Sequence, residues 1–75
     1  RLSAKQLEIL AYLVAHREKP MTETGLAKAL GVHKSTMNHH VHQLRAKGVV
    51  EVVPNPKDAR AHWVRAAPAA ELLVG

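Results

Sequence analysis

Residues 23–48 read ETGLAKALGVHKSTMNHHVHQLRAKG, and glycines divide this stretch into two helical patterns. The first pattern predicts a helix over about 23–30, whose apolar positions are Leu26, Ala27 and Leu30. Thr22 has the side chain expected of an N-cap, and Gly31 supplies a C-terminal stop. Because so short a helix is not stable alone, it must pack against the rest of the chain.

The second pattern predicts a longer helix over about 34–47, which ends before Gly48. One face of this helix is apolar, since Met37, Val41 and Leu44 recur at spacings of four and three residues. The opposite face carries Ser35, His39, His42 and Ala46, with Asn38 and Gln43 on its flanks. This helix therefore has one face for a core and a polar face, free of acidic residues, for a partner.

A further helix is predicted at the N-terminal side, over about 4–16. Ser3 and Gln6 have the spacing of a capping box, in which each side chain bonds the other's backbone amide. The expected core face consists of Leu7, Leu10, Ala11 and Val14. Pro20 marks the end of this segment.

Beyond the second glycine the pattern changes from helix to strand. The segments VVEVV and HWVR are rich in β-branched side chains, which predicts a hairpin over about 49–66. Between them, PNPKDAR (54–60) predicts a loop too long for a two-residue turn. Pro68 then precedes the start of one more helix at 69–74.

Together these elements predict a single domain over residues 1–75, mainly α with a small β-hairpin (α+β). The order is that of a winged helix-turn-helix, a three-helix core with the hairpin as its wing. In this layout the short helix braces the longer one, whose outer face can enter a DNA major groove. The wing can then lie along the adjacent backbone or minor groove.

The charge points to an anionic partner. Eleven Lys and Arg against six Asp and Glu give a net charge of +5 and a pI of about 10.1. No acidic residue occurs over 24–50, a stretch with four Lys or Arg and four His. This distribution favours double-stranded DNA as the partner.

Other classes of protein are disfavoured. The absence of cysteine excludes disulfides, thiolate metal sites and a cysteine nucleophile. No apolar run is long enough to span a bilayer and no signal peptide is visible, so we expect no membrane partner and a cytoplasmic location. An enzyme is not expected, because Ser3 and Ser35 both lie at helix starts and Asp58 lies in a turn-rich loop.

No cofactor or metal site is expected either. His39 and His42 are three residues apart on one helix, which is a spacing that metal ligands use. Two ligands on one helix do not close a tetrahedral site, however, and the sequence places no cysteine or carboxylate near them.

Several motifs resemble the MarR family of winged-helix transcription regulators. LAKALGV (26–32) is similar to the family's second helix, and KSTMNHHV (34–41) to its recognition helix, usually written K-S-T-V-[ST]-R-x-[VI]. Asp58-x-Arg60 resembles the family's wing, and the resemblance covers about residues 20–67. It implies the DNA-binding domain of a prokaryotic transcription regulator. In the intact protein it implies a homodimer formed through segments outside this chain.

The sequence departs from the family pattern at three places. His39 stands where the family usually has Arg, and His40 occupies a commonly apolar helix position. AAPAA (66–70) replaces the usual Leu-Thr-x-x-Gly. The long terminal helices that build the family's dimer and its effector pocket are absent from this chain. The resemblance therefore implies DNA binding for this chain, leaves the dimer to the intact protein and implies no response to effectors.

The resemblance assigns roles to the side chains of the longer helix. The family's groove-facing positions correspond here to Ser35, Thr36, Asn38 and His39. The further predicted DNA contacts of this helix are phosphate neighbours: Lys34, His42 and Gln43. Asn38 is expected to contact adenine and His39 a guanine acceptor or a phosphate, whereas Lys34 is expected beside a phosphate. Arg45 and Lys47 lie near the helix C-terminus, where a cation suits the helix dipole without any ligand.

The wing supplies two further predicted contacts. Arg60 matches the arginine that the family directs toward the minor groove, and Lys57 lies close to it in sequence. Asp58 is expected to orient the wing rather than to touch DNA, because a carboxylate beside a phosphate is costly.

Two other functions stay open at this point. One is a winged helix that docks proteins within a larger complex, although the face without acidic residues favours phosphate. The other is binding of left-handed Z-form duplexes, because Lys34, Asn38 and Trp63 resemble the domains that do so. Against this, His42 stands where those domains have Tyr, and no Pro-Pro precedes Trp63.

Overall fold

The computed structural model of the chain describes residues 2–74, apart from the side chains of Ala59, Arg60 and Val74. Three helices come first, an antiparallel hairpin follows, and a short helical segment ends the described chain. The bounds are α1 Ala4–Ala15, α2 Glu23–Leu30, α3 Lys34–Ala46, β1 Val50–Asn55, β2 Asp58–Ala66, a 3-10 turn Pro68–Ala70 and α4 Glu71–Val74. The predicted winged helix-turn-helix, mainly α with a small hairpin, is confirmed.

The first two helices begin after residues whose side chains cap them. Ser3 Oγ accepts a hydrogen bond from the Gln6 backbone N–H at 3.2 Å, and Gln6 Oε1 accepts one from the Ser3 N–H at 3.2 Å. Thr22 Oγ1 accepts from the Gly25 N–H at 3.1 Å and so caps α2. Gly31 ends α2 with φ of 65°, a left-handed conformation that costs glycine little.

The core lies between the three helices and the inner face of the hairpin. Its fully buried large side chains are Ile9, Leu10, Leu26, Met37, Leu44 and Val64. The apolar stripe predicted for α3 is buried, which leaves the opposite side of that helix for solvent.

The core face predicted for α1 was wrong at two of its four positions. The buried residues of α1 are Gln6, Ile9, Leu10 and Leu13, whereas Leu7 is 39% exposed and Ala11 is exposed. Val14 is half-buried and packs against the core. The helix is apolar over most of its circumference, so spacing alone does not select one face. Burial of Gln6 selects it, because this side chain caps α1 and also bonds α3.

The base of the hairpin is pinned to the helices by backbone hydrogen bonds. The Val64 N–H donates to the Met21 carbonyl at 2.6 Å, which ties β2 to the segment before α2. The Val49 N–H donates to the Leu44 carbonyl at 3.3 Å, which ties the start of the hairpin to the end of α3. The position of the wing relative to α2 and α3 is therefore set by backbone contacts as well as by packing.

The long loop predicted over 54–60 was wrong. The strands pair from Val50↔Ala66 to Pro54↔His62 and, after a register shift, again at Asn55↔Asp58. The turn itself contains residues 56 and 57, and it closes because Asn55 Oδ1 accepts from the Lys57 N–H at 2.9 Å. Proline is tolerated in β1 because both strands of a two-stranded sheet are edge strands.

Candidate nucleic-acid interface

The outer face of α3 is a continuous exposed polar surface. It includes six of the predicted contacts, and all six are exposed: Lys34, Ser35, Thr36, Asn38, His39 and His42. Met37 and Leu44 on the opposite side of the helix are fully buried, so the orientation of α3 is set by its core contacts. Among the described residues, no side-chain hydrogen bond engages Lys34, Thr36 or His42. These side chains are available to a partner.

Asn38 already has a partner within the domain. Its Nδ2 donates to Glu23 Oε1 at 3.0 Å, across the junction between α3 and the first turn of α2. Ser35 Oγ lies 3.3 Å from His33 Nδ1 at the start of α3. Among the described residues, the outer face therefore combines side chains with hydrogen bonds inside the domain, Ser35 and Asn38, with side chains that make none.

Gln43 lies against α1. Its Oε1 accepts from Gln6 Nε2 at 2.6 Å, and the same nitrogen lies 3.4 Å from His40 Nδ1. Gln6 is only 4% exposed, so this amide contact links α1 to α3 at the edge of the core. The structure thus gives Gln43 and His40 positions in the α1–α3 contact, which helical spacing did not predict. The DNA contact expected of Gln43 remains a prediction.

A cleft of about 430 Å³ separates α3 from the hairpin. The α3 side is lined by Asn38, Val41, His42 and Arg45, the hairpin side by Val52, Pro54 and His62, and one end by Glu23. Imidazole and guanidinium groups therefore face each other across a gap between the outer helix face and the wing. Such a gap suits a strand of anionic backbone.

Two of the cleft residues, Arg45 and His62, were not among the predicted contacts. The sequence contains a pattern that could have placed each of them beside the cleft. Asn38, His42 and Arg45 follow each other at spacings of four and three, so they form one stripe along α3. His62 precedes the buried Val64 by two residues in β2 and so lies on the same sheet face, beyond the core.

The tip of the wing carries Lys57, which is exposed in the two-residue turn. Asp58 is exposed at the start of β2, and its backbone pairs with Asn55. The side chain of Arg60, the predicted minor-groove contact, lies outside the described residues. Its role therefore stays a prediction.

Three cations of this surface, Lys34, Arg45 and Lys57, are not engaged by any ion pair among the described residues. The pairs found among the described residues are Lys5–Glu8, Arg17–Glu71 and Arg65–Glu51, at 2.8 to 2.9 Å. Lys34, Arg45 and Lys57 take part in none of them. A polyanion would therefore meet these three cations without first having to break an ion pair.

The described part of the chain contains no cluster of three or more His, Cys, Asp or Glu placed to hold a metal ion. No described helix is long and apolar enough to cross a membrane.

A comparison with known protein families finds a match for most of this chain. The family model for the Helix-turn-helix domain matches residues 2–53. No curated protein matches the chain by sequence.

Solved structures share the whole fold. The S. aureus MepR–DNA complex superposes with a TM-score of 0.91 at 25% identity, over 97% of this chain and 59% of MepR. A cysteine-to-serine variant of E. coli MarR complexed with operator DNA gives a TM-score of 0.87 at 26% identity, over 97% of this chain and 51% of MarR. The adhesin competence repressor AdcR of Streptococcus pyogenes, at 23% identity and a TM-score of 0.86, shares the fold over 99% of this chain and 53% of AdcR. This chain thus spans about half the length of the solved proteins that it matches.

Proposed function

We propose that this chain binds double-stranded DNA. The chain belongs to the Helix-turn-helix domain family and has the MarR-like winged fold. In this proposal α3 enters the major groove and the hairpin lies against the neighbouring backbone or minor groove. One observation carries the proposal: α3 buries its apolar stripe completely and presents an opposite face that is exposed, polar and without acidic residues of its own.

The solved relatives support the same reading. MepR and MarR have this fold in complexes with DNA, and both superpose on nearly all of this chain. A helix held by its core contacts, with a wing pinned by backbone hydrogen bonds beside it, is a rigid reading surface. Rigidity matters because a side chain can distinguish bases only if its donors and acceptors are held in position.

The residues divide into two groups by the contact that their chemistry suits. Asn38 and His39 have the donors and acceptors needed to read base edges. Lys34 at the start of α3 and Lys57 at the tip of the wing suit phosphates. Ser35, Thr36, His42 and Gln43, together with Arg60, complete the predicted contacts. Arg45 joins them because it faces the cleft rather than serving the helix dipole alone.

The intact protein is, in this proposal, a prokaryotic transcription regulator that works in the cytoplasm. It acts as a homodimer through segments outside this chain, because a dimer that binds two DNA half-sites has a higher affinity than one domain that binds a single half-site. The domain is a binding module rather than an enzyme. The Ser3 hydroxyl is engaged in the cap of α1, and among the described residues Ser35 and His33 have no carboxylate in their hydrogen-bond contact.

Titration of a short labelled duplex of mixed sequence, repeated at several salt concentrations, tests the proposal. The logarithm of the affinity should fall linearly with the logarithm of the salt concentration, because basic side chains displace counterions. Absence of binding at low salt, or affinity independent of salt, would contradict it. A Z-form duplex titrated in parallel should bind no more tightly than the right-handed one. Tighter Z-form binding would favour that class instead.

A further inference from the structure

Glu23 is an acidic side chain in hydrogen-bond contact with the outer face of α3. It is half-buried at the first position of α2, directly before residues 24–50, which include no acidic residue. Its carboxylate accepts the 3.0 Å hydrogen bond from Asn38 Nδ2. No ion pair engages Glu23 within the described part of the chain. The carboxylate therefore interacts with Asn38 rather than with a lysine or arginine.

A carboxylate constrains an asparagine in a way that another amide would not. An ionised carboxylate only accepts hydrogen bonds, whereas an amide has a donor end and an acceptor end. Glu23 can therefore satisfy Asn38 only when Nδ2 faces it. Rotation of the amide by half a turn would bring Oδ1 against the carboxylate oxygen, two acceptors without a proton between them.

With its orientation fixed, Asn38 offers a defined pattern to a base. One N–H is held by Glu23, and the second N–H and Oδ1 remain. This donor and acceptor match N7 and the N6 amino group of adenine in the major groove. Guanine presents O6 where adenine has its amino group, so an oriented Oδ1 would meet a second acceptor.

The same carboxylate is unfavourable for binding to DNA in general. Glu23 shares the cleft with His42, Arg45 and His62, the groups that would face phosphate. A negative charge there weakens their attraction for any duplex. Fixing Asn38 and attracting phosphate are thus opposed effects of one residue.

We propose that Glu23 is a positioning residue that sets the base preference of Asn38: its carboxylate fixes the Asn38 amide so that α3 prefers adenine over guanine. The proposal rests on the proposed binding of duplex DNA. It assigns to Glu23 a role in discrimination, achieved at some loss of overall affinity.

The test compares affinity ratios among duplexes. A duplex selected by the wild-type chain is varied one base pair at a time, and the base pair read by Asn38 is the one whose preference disappears in Asn38→Ala. There the wild type should prefer adenine over guanine by about 5- to 150-fold. Each ratio is measured with one protein preparation, so a variant that folds incompletely still gives a valid ratio.

Glu23→Gln is the decisive variant, because glutamine is similar in size but can satisfy Asn38 in either orientation. The adenine preference should fall by about fivefold, the equivalent of one hydrogen bond. Affinity for mixed-sequence duplex should rise by about twofold, since a negative charge has been removed. Glu18→Gln, the same change in an exposed turn formed by residues 15–19, should leave the adenine preference unchanged. When Glu23→Gln is added to Asn38→Ala, the adenine preference should fall no further than in Asn38→Ala alone.

A purely structural role for Glu23 at the start of α2 would lower stability and leave the adenine preference intact. That result would overturn the proposal, and so would a preference unaffected by Asn38→Ala. If the wild type binds no duplex, the proposed function fails and this inference fails with it.

A measurement without DNA tests the contact itself. The Asn38 side-chain amide resonances, assigned by their loss in Asn38→Ala, should shift in Glu23→Gln and stay in place in Glu18→Gln. Unshifted resonances in Glu23→Gln would overturn the proposal even if the chain binds DNA.

Discussion

Replacing Lys57 with glutamine removes the positive charge at the tip of the wing and leaves the backbone of the turn intact. The hydrogen bond that closes the turn runs from the Lys57 backbone N–H to Asn55 Oδ1 at 2.9 Å, so it does not depend on the side chain. The ammonium group takes part in no ion pair among the described residues. Any effect on DNA binding therefore reports the lost charge rather than a rearranged wing.

The size of the effect follows from the number of cations on this surface that no ion pair among the described residues engages. Lys34, Arg45 and Lys57 are three such cations, and each phosphate neutralised contributes about 0.9 to the slope of log affinity against log salt. The wild-type slope should therefore be at least about 2.7 in magnitude, a loss of affinity of about 40-fold for a fourfold rise in salt. For Lys57→Gln the slope should fall by about 0.9, to a minimum of about 1.8, which corresponds to a loss of affinity of about 12-fold for the same rise in salt.

Fluorescence anisotropy of a labelled duplex, titrated at four or more salt concentrations, measures both slopes. Lys19→Gln is the matched control, because Lys19 is exposed in the recess formed by residues 15–19 and lines none of the clefts beside α3. If Lys57→Gln leaves the slope unchanged, or if Lys19→Gln lowers it equally, the wing does not contact phosphate as argued.

Three further outcomes are expected. Leu44→Ala removes a fully buried α3 side chain and should lower the free energy of unfolding in urea by about 2–5 kcal/mol, a large part of the roughly 4–11 kcal/mol expected for a domain of this size. A loss under about 1 kcal/mol would contradict the buried position. Gly31→Ala should cost about 1–2 kcal/mol in the same assay, because φ is 65° there; an unchanged midpoint would contradict this. His42→Ala should weaken duplex binding by about 2- to 12-fold, because the His42 side chain is exposed on the outer face of α3 and lines the cleft beside the hairpin. His16→Ala, at the end of α1, should leave duplex affinity unchanged. Equal affinities for the wild type and His42→Ala would exclude His42 from the interface.

The elements best predicted from the sequence are those with one clearly apolar face. In α3, Met37, Val41 and Leu44 stand among polar residues, so the spacing alone defined the buried stripe and its exposed opposite. The spacing in α1 was ambiguous, because apolar residues nearly surround the helix. There the buried face depends on Gln6, whose partner Gln43 lies 37 residues away in the sequence.

Long-range polar contacts and the geometry of the turn account for the other differences. The prolines and polar residues of 54–60 favoured an open loop, whereas Asn55 closes a short turn with its own side chain. Asn38 was predicted to face a partner, but no periodicity indicates that Glu23 of the preceding helix holds its amide. Periodicity describes one helix or strand at a time, so it does not predict a contact between the side chains of two different helices.

The most direct test of duplex recognition by α3 and the wing is selection of bound duplexes from a pool of random sequence. The wild-type chain should enrich a short common sequence containing the adenine read by Asn38, and Asn38→Ala should enrich sequences in which that position varies freely. A pool that stays random after repeated rounds, at a salt concentration where the chain binds duplex, would contradict sequence-specific reading by this surface.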